Sequence, residues 1–148
     1  LDAWLVIRGI KTLPLRMEQH QKNAFTIAKW LQKQPRVQYV LYPGLENHPG
    51  YEINKAQTTG FGGMISFAVD NPETALQILE GVKLIKFAES LGGTESLITY
   101  PIRQTHTDLT AEKCAEKGIT DCLLRFSTGI EATQDLIDDL AQAFTAVE

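Results

Sequence analysis

From Leu13 onward, Met17, His20, Ala24, Ile27 or Ala28, and Leu31 recur in steps of three and four. That spacing lines them along one side of a single long helix. Gln34-Pro35 closes it, because the residue before a proline is driven out of helical geometry. Residues 3–12 read as an earlier helical stretch, which Pro14 interrupts or kinks by removing a backbone donor. A helix with one apolar stripe must bury that stripe, so the rest of the chain has to supply a surface.

Five short runs supply it. VQYVL at 37–41, MISFAV at 64–69, LIKFA at 84–88, SLITY at 96–100 and LLRFS at 123–127 read as strands. YPGLENHPGYEINKA, rich in Pro, Gly and Asn, is a loop running into a short helix. Asn71-Pro72-Glu73 starts a helix, with Asn71 as cap, Pro72 at the first helical position, and an apolar face of Ala75, Leu76, Leu79 and Val82. Thr110 caps a helix ending at Lys117. A last amphipathic helix, from Thr133 or Asp135 to Val147, turns Leu136, Ile137, Leu140 and Phe144 inward. The order predicts the α+β class: one mostly antiparallel sheet with helices packed on one face.

At 148 residues the chain is long enough for one domain with a substantial core. A net charge of -4 with no clustered basic face argues against nucleic acid. No apolar run approaches the roughly 20 residues that cross a bilayer, and no signal-peptide pattern is present. Two cysteines, Cys114 and Cys122, argue against a disulfide framework and fit a reducing cytoplasm. The opening LDAWLVIRGI is apolar and has no capping residue but Asp2. We read Leu1 as a cut point inside a longer protein, with Trp4, Leu5 and Ile7 stripped of a partner domain.

Thr59-Gly60-Phe61-Gly62-Gly63 precedes a strand, whereas a phosphate cradle follows one and opens a helix. A bulge or close backbone approach is expected there instead. His20, His48, His106, Cys114 and Cys122 lack metal-site spacing, and no serine sits on a strand-turn-helix elbow. Arg125 stands out, because LLRFS otherwise reads as a buried strand. A guanidinium keeps its charge and needs an anion when buried. That anion is either an internal carboxylate, Glu131 or Asp121, or the carboxylate of a ligand held by a bidentate pair. ESLGGTES at 89–96 also has two readings: its spacing favours a hairpin turned by two glycines over polar groups presented to a ligand.

LDAWLVIRGIKTLPLRME, KFAESLGGTESLITYP, QTH, GITDCLLRFSTGIE and DLIDDLAQAF together resemble the C-terminal part of the pyridoxal-phosphate-dependent Cys/Met metabolism enzymes. That family contains the cystathionine γ-synthases, β-lyases and γ-lyases, methionine γ-lyases and O-acetylhomoserine sulfhydrylases. The resemblance implies the small domain of a fold-type I enzyme. Residues 1–34 would be a kinked helical segment leading from a large domain, and 35–148 the α+β substrate-binding domain. In this family the cofactor lysine lies upstream, in a Ser-x-Thr-Lys type of segment that this chain lacks. The 148 residues alone are therefore expected to bind no pyridoxal phosphate and to catalyse nothing.

The resemblance also implies roles. Arg125 matches the arginine that grips the substrate α-carboxylate, and Ser90 the serine that helps place it. Glu89 falls where the family sorts substrates, and Thr105 matches a threonine near the substrate. A whole enzyme would be a cytoplasmic homotetramer of catalytic dimers, acting on cystathionine or an activated homoserine in methionine and cysteine metabolism. Ile102-Arg103-Gln104-Thr105-His106-Thr107 departs from the lyase pattern and is closer to the γ-synthase or β-lyase branch. Thr94 and Cys122 also depart from the family's commonest residues. The alternative reading is an autonomous α+β module that binds an amino acid through Arg125, Glu89 and Ser90 without chemistry.

Overall fold

The computed structural model describes residues 1–145, so the expected close of the last helix at Val147 lies outside the described residues. Helix α1 spans Asp2–Ile10 and α2 spans Leu13–Leu31. Pro14 sits in the first turn of α2, where its missing donor interrupts the ladder from α1. Thr12 Oγ1 and Arg16 Nη2 instead donate to the Gly9 carbonyl, at 3.2 and 3.0 Å. The buried face of α2 is His20, Asn23, Ala24, Ile27, Ala28 and Leu31. Met17, which its spacing puts on the same stripe, lies ahead of this buried part and is 42% exposed.

The remaining elements are β1 (Val37–Leu41), α3 (Tyr51–Gln57), β2 (Met64–Val69), α4 (Pro72–Gly81) and β3 (Lys86–Phe87). They continue with β4 (Leu97–Thr99), a 3-10 turn at Pro101–Arg103, α5 (Ala111–Glu116), β5 (Leu123–Ser127) and α6 (Thr133–Thr145). The sheet order is β1-β2-β5-β4-β3. Pairs β1–β2, β2–β5 and β5–β4 are antiparallel, and β3–β4 is parallel. The α+β class with a mostly antiparallel sheet therefore holds.

Period-two alternation gives the sheet two unlike faces. Ile65, Phe67, Val69, Ile98, Leu124 and Phe126 point into the main core, against Ile27 and Leu31 of α2, Ile78 of α4, and Leu136 and Leu140 of α6. On the opposite face Ala68 and Leu123 form a second small cluster with Cys114 of α5 and Ile119. Helix α5 thus covers one end of the face away from α2, α4 and α6. The rest of that face carries the row Ser66, Arg125, Thr99, in direct register across three strands.

The hairpin expected at ESLGGTES does not form. Lys86 pairs with Leu97 and Phe87 with Ile98 in parallel, so the chain must loop back before re-entering the sheet. Lys86 N donates to Ser96 O and Ala88 N to Ile98 O, both at 3.1 Å. Residues 89–95 arch over that return. The two glycines are local signals, and pairing direction is set by the long-range partner β5, which fixes β4 antiparallel to itself.

Local signals elsewhere hold. Asn71 Oδ1 accepts from Thr74 N at 2.8 Å, and Thr110 Oγ1 from Lys113 N at 3.4 Å, as N-caps do. In the loop at 58–63 Phe61 N donates to Gln21 Oε1 at 2.6 Å, so the loop makes a close packing contact with α2. Asp139 of α6 is buried, and its carboxylate accepts from Lys83 N, Leu84 N and Ile85 N at 2.8, 2.9 and 2.9 Å. This ties α6 to the entry of β3. Asp139→Ala leaves those amides without an acceptor and is expected to destabilise the fold by about 3 kcal/mol; urea denaturation measures it, and a loss under about 1 kcal/mol contradicts the anchoring role.

Tyr42 is fully buried and its hydroxyl donates to Gly62 O at 2.9 Å. Burial pushes its phenol from 10.0 up to about 12. The folded state thus favours the protonated phenol, so this stabilisation is complete below pH 10.0 and is lost as pH rises towards about 12. Across that alkaline window the Tyr42→Phe variant is expected to lose less stability than the parent. Equal losses in parallel denaturant titrations contradict the assignment.

Candidate functional site

Strand β5 presents Arg125 and Ser127 two residues apart, hence on one face. Arg125 is half-buried, and its Nε is buried with no hydrogen-bond partner. Its Nη2 donates to Thr99 Oγ1 at 3.4 Å, beyond the usual 2.7–3.2 Å range of about full strength. Among the described residues no carboxylate stands within ion-pairing distance of it. Both internal candidates are engaged elsewhere. The carboxylate of Glu131 accepts from Ser96 N at 2.6 Å and Ser96 Oγ at 2.9 Å. Asp121 lies in the exposed turn before β5, where its Oδ1 accepts from Cys122 Sγ at 3.6 Å.

The loop bearing Glu89 and Ser90 is strung between two anchors in this same row. Thr99 Oγ1 donates to Ala88 O at 2.8 Å while accepting from Arg125. On the other side Gly92 N donates to Ser127 Oγ at 3.0 Å. Gly92 has φ +77°, a left-handed conformation that glycine adopts without strain. The two tethers therefore hold both ends of 88–92 to the residues that flank Arg125. Glu89 and Ser90 are themselves exposed, and no hydrogen bond occupies their side chains among the described residues.

Thr105 is placed differently. It follows the 3-10 turn at Pro101–Arg103, half-buried, with Oγ1 2.6 Å from His106 Nδ1 and 3.5 Å from Pro101 O. Tyr100 secures that segment: its N donates to Gln104 Oε1 at 2.7 Å and its hydroxyl to Asp121 O at 2.6 Å. No hydrogen bond joins Thr105 to Arg125 or to the 88–92 loop among the described residues. The structure thus brings Arg125, Glu89 and Ser90 to one region and leaves Thr105 on the neighbouring turn.

The sequence reading missed Thr99 and Ser127. The two-residue period alone sets Ser127 beside Arg125, whereas Thr99 emerges only from the register of β4 against β5. Among the described residues no group of three His, Cys, Asp or Glu side chains could share a metal ion, and no helix is long and apolar enough to cross a membrane. A charged guanidinium with unused donors, beside free hydroxyl and carboxylate side chains, suits an anionic ligand that also carries a cationic or polar group.

Comparison with known proteins gives this geometry a context. Cystathionine gamma-lyase of Bacillus subtilis is 51% identical over 142 residues, 96% of this chain and 38% of the relative. Cystathionine gamma-synthase of Haemophilus influenzae is 50% identical over 143 residues, 97% of this chain and 34% of the relative. The crystal structure of cystathionine gamma synthase from Xanthomonas oryzae pv. oryzae, in complex with aminoacrylate and cysteine, matches with a TM-score of 0.93 at 43% identity. That match covers 97% of this chain and 38% of the other. The chain thus spans 34% to 38% of the length of these relatives. Matched over residues 1–145 by the model of the Cys/Met metabolism PLP-dependent enzymes, and similar to its lyase and synthase members alike, the chain belongs to that family.

Proposed function

We propose that this chain supplies the carboxylate-binding part of a pyridoxal-phosphate-dependent trans-sulfuration enzyme. The observation that carries the reading is Arg125: a sheet-face guanidinium with a buried, unpartnered Nε and no internal carboxylate beside it. A guanidinium holds its charge at any working pH and meets a carboxylate through two parallel hydrogen bonds. Arg125 therefore grips the α-carboxylate of an amino-acid substrate, and Ser90, hung beside it, helps place that group. Glu89, the exposed neighbour, sorts substrates by the side chain they carry. Thr105 lines the approach from the adjacent turn.

The substrate class is cystathionine, cleaved, or an activated homoserine whose γ-substituent is replaced by cysteine. The lyase and synthase relatives are 51% and 50% identical to this chain, so overall identity favours neither reaction. Binding energy spent on the carboxylate fixes the orientation of the bond to be broken, which is the contribution such a domain makes to rate.

The chain's own residues do not fit pyridoxal phosphate. A lysine that works as a covalent nucleophile is desolvated to lower its pKa, and every lysine of this chain lies exposed at the surface. The glycine loop at 58–63 has committed Phe61 N to Gln21. We infer that the cofactor is held outside this chain and that these residues alone catalyse nothing. The partner they need is a large cofactor-binding domain. Helix α1 supports this, since none of its residues is buried and Trp4, Leu5, Val6 and Ile7 are 57%, 50%, 61% and 59% exposed. Residues 1–34 would then be the connecting helical segment and 35–148 the substrate-binding domain. A cytoplasmic homotetramer completes the proposal, and the two free cysteines suit a reducing compartment.

In the full-length enzyme Arg125→Ala is expected to keep the cofactor while kcat/KM falls by an amount worth roughly 2–5 kcal/mol. Loss of the cofactor's absorbance with KM scarcely moved would make Arg125 structural. Glu89→Ala is expected to change the relative kcat/KM for cystathionine, homocysteine and acyl-homoserine. Activity altered by the same factor on all three contradicts a sorting role.

A further inference from the structure

Ser96, from the second half of ESLGGTES, is fully buried. Its amide donates to Glu131 Oε1 and its hydroxyl to Glu131 Oε2, at 2.6 and 2.9 Å. A carboxylate only accepts, so Ser96 Oγ keeps its lone pairs, one of which accepts from Gly129 N at 2.8 Å. Alongside, Ile130 N donates to Thr94 O at 2.9 Å. The two segments are pressed so closely that a Cβ on Gly129 would stand 2.4 Å from Thr94 O and 2.6 Å from Glu95 C.

The far side of this lock is held by α2. Asn23 Nδ2 donates to Gly129 O and Glu131 O, at 3.0 and 2.9 Å, and His20 Nδ1 donates to Thr128 O at 2.6 Å. The carbonyls of Thr128, Gly129 and Glu131 are thus fixed to the main helix, and the segment's one carboxylate reaches across to Ser96. The consequence for Arg125 is electrostatic. Glu131 follows Arg125 by six residues and is one of the two internal carboxylates nearest to it in sequence, yet both of its oxygens are occupied by neutral donors.

We propose that Glu131 is a positioning residue for the substrate site. It locks the return of the 89–96 loop against the end of β5, which sets Ser90 and Glu89 relative to Arg125. By bonding Ser96 it also leaves the guanidinium free for a ligand's carboxylate. This inference rests on the carboxylate-binding reading above.

The test uses the full-length enzyme with Glu131→Gln, Ser96→Ala and the double variant. Glutamine offers one acceptor oxygen where Ser96 presents two donors, so part of the lock is lost while the shape is kept. Either single variant is expected to raise KM about tenfold with kcat held within about twofold. The preference for the amino-acid substrate over its neutral α-carboxamide is expected to shrink by about the same factor, a change that general loosening would not produce. The double variant is expected to be no worse than the worse single, because both break one lock.

Effects that multiply in the double variant, or a preference for the acid over the amide that is unchanged, overturn the proposal. If Glu131→Gln does not fold, Ser96→Ala decides alone by the same two readouts. Arg125→Lys run alongside separates the two readings. If it too leaves KM and the acid preference unmoved, the carboxylate site itself is wrong; if it raises KM while Glu131→Gln does not, only the role of Glu131 falls.

Discussion

A guanidinium set into the face of a β-sheet without an internal anion is the constraint around which this fold is arranged. Removing a charge from water costs several kcal/mol, and a single long hydrogen bond to Thr99 at 3.4 Å returns only a fraction of that. The fold tolerates the cost because Arg125 stays half-exposed and because its strand is gripped on both sides, by β2 and by β4. The carboxylates nearest in sequence are withheld from it. Asp121 remains in an exposed turn, and Glu131 is bonded to Ser96.

The asymmetry of the sheet makes this possible. One face carries the apolar side chains that bind α2, α4 and α6 into a single core, so the backbone of β5 is immobilised from behind. The other face carries the polar row Ser66, Arg125 and Thr99 among apolar neighbours, with α5 closing one end of it. Asp139 fixes the entry to β3 from the core side, and the lock at Ser96 fixes the exit of the loop that follows. The 88–92 segment is therefore held at both ends by groups that do not themselves face solvent, while Glu89 and Ser90 remain available. A rigid scaffold that presents a short polar loop is the usual means of positioning side chains within a fraction of an ångström.

Much of this is legible in the sequence. The three-and-four spacing of α2, the proline-headed helix after Asn71 and the five short strands all follow local rules; the strands and the helix after Asn71 form within a residue or two of their expected bounds, while α2 stops at Leu31, short of Gln34-Pro35. Local rules failed where a distant partner decides. Two glycines between apolar runs read as a hairpin, but β4 takes its direction from β5, so β3 and β4 lie parallel. Met17 obeys the helical period and yet lies ahead of the part of α2 that is buried. Arg125 was conspicuous because an arginine in an apolar strand is costly, whereas Thr99 and Ser96 are ordinary hydroxyls whose importance rests on register. Glu131 is a candidate partner for the arginine by sequence, and the structure gives it to Ser96 instead. The resemblance to the family pointed to Arg125, Ser90 and Glu89 before their surroundings were known.

The account stands on Arg125 being the group that receives a substrate carboxylate. A crystal structure of the full-length protein with its amino-acid substrate bound tests that most directly. The expected result is two carboxylate oxygens at about 2.7–2.9 Å from the Arg125 guanidinium, with Nε among the donors and the Glu131 carboxylate still on Ser96. A substrate whose carboxylate is held elsewhere, with Arg125 turned onto an internal acid, would contradict it.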